Sequence, residues 1–368
     1  MAPWRTGVLP APLGPSLGRL RYVAPWGSDS NSGSEAAPWR SISKALTAAL
    51  PGERVLVRAG TYTGLVGAGP SMGGTVGPAV YGSPRGTASA PITVQAYPGE
   101  RPIIGAMVSL PSAQYFRLSG FVIDGAYAPA GAEGVSVGNT SGTEPSHVEI
   151  SYNEIRNFGP VDSHAQGILH YSGTDTALIG NWIHHIGRQV FYDHGIYMKS
   201  GRRVVVANNV ITDITGGYGL HIWGDFDDSW VINNTVYGSA ASGFTIGGNS
   251  DRGYPDRTVA ANNILAGHTG TTDSQQGYAA KEYQPGGGDS VRHNLGWANA
   301  RTSPWALSLS GPTDNRTLDP LFVDAARRNL RLNAGSPAIN TAEDFGLLVD
   351  AAGRPRTDTP DKGAYEAG

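Results

Sequence analysis

From Asp193 to Asp228 the chain reads DHGIYMKSGRRVVVANNVITDITGGYGLHIWGDFDD, its densest mixture of His, Tyr, Lys, Trp and Asp. These side chains can move protons, neutralise a carboxylate and stack on a sugar ring. Lysine is scarce, with only Lys44, Lys199, Lys281 and Lys362 in the whole sequence. An ammonium can lose its proton at a reachable pH and a guanidinium practically cannot, so each Lys kept by an arginine-using chain has some weight as a proton acceptor. Chance survival under codon bias is the plainer explanation. Asp193 beside His194 would fix an imidazole tautomer, as a turn pair or as part of a site. Asp225, Asp227 and Asp228 could hold Ca²⁺ or form a solvated turn; the turn is favoured, because Ca²⁺ wants further oxygen ligands that the sequence does not identify.

Something must bring these residues together, and composition points to short strands. Hydrophobic residues are 39% of 368, charged residues only 15%, and Gly numbers 52, which argues against a helix-rich protein. A net charge of −3 gives no general field toward nucleic acid or an anionic membrane. With no Cys, disulfides and thiolate metal sites are excluded, and no apolar run approaches a membrane span. Residues 1–20 lack the continuous apolar segment of a signal peptide, and their prolines predict a flexible leader.

One helix is expected, over Ser41–Leu50, with apolar Ile42, Ala45, Leu46, Ala49 and Leu50 at helical spacing, Ser41 as N-cap and Pro51-Gly52 as the stop. It would lid the open end of the strands. Beyond it the chain repeats. Short β-branched runs place Asn153, Asn181, Asn209, Asn234, Asn263 and Asn294 at one recurrent position, 28, 28, 25, 29 and 31 residues apart, and an earlier copy has Phe121 there. A second register follows: Gly134-Val135, Gly167-Ile168, Gly195-Ile196, Gly219-Leu220, Gly243-Phe244 and Gly277-Tyr278. Runs of four to six residues rich in Val and Ile, punctuated by Gly and Asn, exclude helical arrays. Stacked parallel strands place equivalent positions about 4.8 Å apart, so a recurring Asn can bond to its copies in a turn that tolerates unusual φ and ψ. The expected fold is all-β, a single-stranded right-handed parallel β-helix over residues 21–312, with residues 313–368 as a C-terminal cap packed on it.

The Asn-Asn-Val/Ile strands, the Gly-Ile register, the opening YVAPWGSDSNSG…PWRSISKALTAALPGERVLVRAGTY and the closing LDPLFVD…NLRLNAGSPAIN…PDKGAYE resemble bacterial right-handed parallel β-helix proteins of the pectate-lyase-like superfamily. The resemblance spans roughly residues 21 to 368. It implies a secreted, polysaccharide-active protein whose signal peptide is absent from this sequence. That superfamily includes lyases with a Lys or Arg base, C5-epimerases and glycosidases, and many of its lyases use Ca²⁺ to bridge the substrate carboxylate. Polygalacturonase-like β-helix hydrolases are disfavoured: Asp227-Asp228 and Asp193-His194-Gly195 stand in the reverse order, and Arg-Ile-Lys is missing.

A narrow β-helix fills its interior, so ligands lie on an outer face. With Ile168, Ile196, Leu220 and Phe244 inward, alternation turns Leu169, Tyr197, His221 and Thr245 outward, and likewise Tyr171, Lys199, Trp223 and Gly247. Tyr197, Lys199, His221 and Trp223 then form one rectangle, Tyr171 extends it by a coil, and Lys281 is expected three coils beyond Lys199. Tyr171, Tyr218 and Trp223 offer faces for pyranose rings; Lys281, Asp193 and Asp225 would also contact substrate. β-Elimination at a uronic acid needs an offset carboxylate, a base for the C5 proton and an acid for the leaving oxygen. Lys199 is base or neutraliser, His221 or His194 base, and Tyr197 acid or base. Tyr197 and Trp223 could instead pack under a covering loop. A glycosidase would take two of Asp193, Asp225, Asp227, Asp228 and Glu282 as acid and base. The third reading is a non-catalytic carbohydrate-binding β-helix. His170 is expected inward and structural, and His184-His185 in a turn. No cofactor is required apart from the Ca²⁺ alternative, and a monomer with a polysaccharide substrate is expected.

Overall fold

The computed structural model describes residues 4–5, 7–64, 79–128, 132–139, 143–159, 164–188, 192–271, 276–284, 286–308, 313–357 and 359–367. Its strands form a right-handed parallel β-helix of about eight turns with one α-helix. Three parallel sheets wrap one core: sheet A, from Leu20–Val23 to Ser290–Arg292; sheet B, from Thr61–Tyr62 to Arg316–Thr317; and sheet C, from Ala79–Tyr81 to Trp305–Ala306. Each coil contributes one strand to each sheet. Val135, Ile168, Ile196, Leu220 and Phe244 are register partners in sheet C, all buried in the core as alternation requires.

The coils are locked at the corner between sheets A and B. Asn153, Asn181, Asn209, Asn234, Asn263 and Asn294 each donate from Nδ2 to the Oδ1 of the next rung at 2.9–3.1 Å, and the series ends on Asn315. The same Oδ1 also accepts the backbone N–H of the preceding rung, as Asn209 does from Asn181 at 3.0 Å. A second Nδ2 hydrogen reaches a carbonyl, Asn209 to Leu178 at 2.8 Å. Each amide therefore satisfies polar groups that the sharp corner would otherwise bury unpaired. Where Phe121 replaces the Asn, its N–H still donates to Asn153 at 3.0 Å, so the ladder begins one coil later without an orphan at that N–H.

The left-handed backbone falls on the residue before each rung. Tyr152, Asn208, Asn233, Asn262 and His293 have φ of 52–60°, and Gly180 has 65°. Double Asn-Asn thus divides two tasks, the first residue bearing the turn and the second the ladder. Asn208, Asn233 and Asn262 then use Nδ2 outward, donating to the carbonyls of Val349, Asp361 and Glu343 at 2.7–2.9 Å. This is how the segment after Thr313 is fastened along the outside of the coils. Arg356, its side chain 1% exposed, pairs with Glu366 there.

The helix runs Ile42–Ala48; Ser41 caps it, accepting from the Lys44 N–H at 3.1 Å. Ile42, Ala45 and Leu46 enter the core near the first strand of sheet C, while Leu50 is outside. Residues 1–20, expected to be flexible, are instead held where described; residues 1–3 and 6 lie outside the described set. Trp4 and Leu9 are buried with Ile179, Val205, Ile232 and Phe345 on the outer face of sheet A, and Ser16 donates to the Pro91 carbonyl at 2.6 Å. The reason is that sheet A presents small and β-branched apolar residues outward, a face that needs cover. Among the described residues no helix is long and apolar enough to cross a membrane.

Asn209→Ala strands the Asn181 N–H and the Leu178 carbonyl in the core. It is expected to cost about 2–4 kcal/mol, read from urea denaturation, since each buried unsatisfied group costs about 1–3 kcal/mol. A loss below about 0.5 kcal/mol would show that the ladder is ornamental.

Candidate functional site

Sheet C presents two outward columns. The first is Leu169, Tyr197, His221, Thr245 and Lys281; the second includes Trp223, Gly247 and Tyr283, with Lys199 beside Trp223 by continuation of the Met198 to Ile222 pairing. Tyr197 and His221 stack, ring centroids 5.0 Å apart at 15°. Trp223 lies 5.9 Å from His221 and 5.1 Å from Tyr283. Lys199 Nζ sits 3.6 Å from the centre of the Tyr171 ring, a cation–π contact one coil back. The expected rectangle is present, with Tyr171 extending it.

His194 is placed differently from expectation. It is 2% exposed and lies behind His221, its Nε2 3.0 Å from His221 Nδ1. The Tyr218 backbone N–H donates to His194 Nδ1 at 3.3 Å. If the Tyr218 N–H holds Nδ1 as an acceptor, against the competing pull of the Asp193 backbone on the ring's hydrogen, the neutral His194 has its proton on Nε2 and donates it to His221 Nδ1. His221 is thereby left with its own proton on Nε2. Burial, then the Arg252 charge, pushes His221 down to about 3; burial, then His221 and His164, hold His194 well below the ordinary imidazole value. His194 positions a catalytic candidate and does not itself reach substrate. Gly217 makes room for it, since a Cβ there would overlap the Asp193 carbonyl and stand 2.8 Å from His194 Nδ1. Tyr218, expected to face substrate, is 3% exposed and packs its ring 4.8 Å from His221.

Asp193 bears on the His194 ring through its backbone, while its side chain is engaged elsewhere. Its carboxylate, fully buried, accepts the N–H groups of Ala165 and Arg188 at 2.8 and 2.7 Å and holds the corner between coils, which removes it from substrate binding and from acid–base work. Glu282 pairs in register with the core residue Ile246 and accepts from the Ser308 N–H and hydroxyl, both at 2.8 Å, so it too is unsuited to that role. Asp228 is bound by Arg202 and Arg257, Asp225 is exposed at a loop, and burial raises Asp227. The trio does not converge into an oxygen cage, and no grouping of three or more His, Asp or Glu suited to a metal exists among the described residues.

Lys281 is three coils beyond Lys199, as expected, but it stands in the Tyr197 column, and Tyr283 takes the Lys199 column. The partner of Phe244 is Ala280, so Gly277-Tyr278 is displaced by two residues from the register its composition mimics. His170 is inward, its Nδ1–H donating to the Ser200 carbonyl at 2.8 Å. His184 and His185 lie in the strand Trp182–Ile186 of sheet B, not in a turn, with His184 3.3 Å from Glu154. Two site residues escape the repeat logic. Arg252, in the loop after Phe244–Gly247, donates to the Tyr197 hydroxyl at 3.2 Å. Tyr283 follows Lys281 by two and was hidden by the same register displacement. The loop GGNSDRGYPDR was the signal for Arg252, an insertion on the rim of the aromatic face. Burial raises the Tyr197 phenol, opposed by Arg252, so it keeps its proton at neutral pH.

Residues 21–182 match the family described as "Pel9A-like, right handed beta helix region", and residues 120–274 match the right-handed β-helix region family. The crystal structure of pectate lyase Pel9A superposes with a TM-score of 0.58 at 16% identity, over 96% of this chain and 98% of that one. The GH136 lacto-N-biosidase from Eubacterium ramulus does so with a TM-score of 0.55 at 14% identity, over 76% of this chain and 56% of that one. At such identities the likeness is one of fold. No curated protein matches the sequence.

Two measurements check the histidine chemistry. Nitrogen-15 NMR is expected to find His221 neutral with its proton on Nε2 throughout pH 5–8; titration near 6.5, or a proton on Nδ1, would refute the relay. His170, His221 and His268 have folded values of about 4, 3 and 3 against 6.5 unfolded. Between pH 6.5 and 4 the unfolded chain therefore binds protons that the folded one refuses. Stability is complete above 6.5 and falls with falling pH, by up to about 1.4 kcal/mol per pH unit for each ring. A flat profile across that window, followed by chemical denaturation, would contradict the burial of all three.

Proposed function

Because the chain is a pectate-lyase-like right-handed β-helix protein, we propose that it acts on polysaccharide at the outer face of sheet C, as a lyase that cleaves a uronic-acid-containing glycan by β-elimination. The observation that carries this reading is the convergence of one amine, Lys199, with a donor array of Tyr197, His221 and Arg252 on an aromatic floor. Arg252 offsets the substrate carboxylate with the planar fork of its guanidinium.

The choice of base follows by elimination. Arg252 is committed to the carboxylate, the Tyr197 phenol is raised, and His221 Nδ1 faces His194 Nε2 at 3.0 Å. Lys199 remains to take the C5 proton. The electron pair of that C–H bond forms the C4–C5 double bond and the C4–O bond breaks. His221 Nε2–H or the Tyr197 hydroxyl gives a proton to the leaving oxygen. Trp223, Tyr283 and Tyr171 offer flat faces to the sugar rings on either side.

The test is ultraviolet absorbance of an unsaturated uronate when the protein meets pectate, alginate or a glycosaminoglycan. Lys199→Ala is expected to lower turnover by about 10²–10⁴-fold, the usual worth of a positioned base, with binding retained. Hydrolysis without the absorbance would favour the glycosidase reading. Binding without any turnover would favour an adsorbing β-helix, and unchanged turnover in Lys199→Ala would remove that residue from the mechanism.

A further inference from the structure

A second cleft lies on sheet B, a different face from the one that bears Lys199. It has a volume of about 330 Å³ and lies between the coils and the C-terminal segment, lined by Tyr237, Trp297, Asp319, Leu321, Phe322 and Asn333. Tyr237 and Trp297 occupy one outward column with Ala266 between them, so their strands stand two inter-strand spacings apart, about 10 Å. Trp297 is 39% exposed. Phe322 meets Tyr237 edge-on at 6.1 Å, and Arg328, tied to Asp213, lies 5.2 Å from the Tyr237 ring centre. Tyr237 therefore offers its rim and hydroxyl, and Trp297 is the open stacking surface.

The polar groups at this cleft shape its wall and leave further donors and acceptors open to it. Asp319 accepts the Leu321 N–H at 2.8 Å through Oδ1, and Asn333 donates to the Phe322 carbonyl at 3.2 Å, which fixes the far wall. Asp319 Oδ2, the Tyr237 hydroxyl and the Trp297 indole N–H have no hydrogen-bond partner among the described residues. A flat apolar surface edged by two donors and a carboxylate acceptor suits the face of a pyranose and its hydroxyls. The one unpaired charge at the rim is negative, which disfavours a uronate and favours a neutral sugar.

We propose that this cleft is a second, non-catalytic saccharide site that holds neutral sugar residues of a glycan, with Trp297 as the stacking platform and Asp319 as the hydroxyl acceptor. It stands apart from the reaction proposed for sheet C, so either can fail alone.

Native gels cast with galactan, xylan or mixed-linkage glucan test it. At least one gel is expected to retard the unmodified protein; Trp297→Ala should weaken the apparent affinity at least fivefold and Trp297→Phe less, with turnover of short soluble substrate unchanged. If Trp297→Ala loses folded structure by circular dichroism, Asp319→Asn, which keeps Oδ1 for Leu321, carries the same expectation of weaker retardation. The proposal is overturned if no neutral gel retards the protein, if the folded variants are retarded as strongly as the unmodified protein, or if Trp223→Ala abolishes retardation instead.

Discussion

A parallel coil with sharp corners must satisfy backbone groups where no strand pairs with them, and the asparagine ladder is how this chain does it. Each amide on the ladder joins its own coil to the next through side chain and main chain together. Since a buried amide left unpaired is expensive, the ladder fixes the register of every coil against its neighbour. The columns on sheet C depend on that register. A slip of one residue would exchange Tyr197 and His221 for Ile196 and Leu220, turning the polar surface inward.

The site therefore owes its compactness to the solenoid and its chemistry to departures from the repeat. A corner residue that holds the coils, Asp193, sits only four positions before Tyr197 on the outer face. Proximity in sequence is a poor guide to role here. His194 precedes a ladder glycine and Lys199 follows it by four, yet one is enclosed behind an imidazole while the other is stacked on a tyrosine at the surface.

Much of the scaffold was legible because its rules are local and repeated. Six of the seven ladder asparagines stand out by spacing; Asn315 did not, coming only 21 residues after Asn294 in a segment whose composition resembles a cap. The inward Ile168, Ile196, Leu220 and Phe244 followed from alternation. Gly277-Tyr278 misled because it imitates Gly243-Phe244 while the chain bulges by two residues, and this displaced Lys281 and concealed Tyr283. The leader was misread for a different reason: its prolines describe the backbone's own preferences, whereas Trp4 and Leu9 are held by an apolar face formed more than 150 residues later. Arg252 was signalled only as part of an insertion, and its aim, like that of the Tyr218 N–H, was illegible because it is set by turn geometry, which no periodicity encodes.

The Tyr218 N–H has a wider implication. Every residue except proline brings a peptide hydrogen to position 218, so the direction of the proton on His221 is recorded in the shape of a turn and not in the identity of a side chain. The aromatic ring there packs on both imidazoles, but the polarity of His221 is set by the peptide and not by that ring. What a lineage could not exchange is the glycine before it, whose missing carbon leaves the buried ring its place.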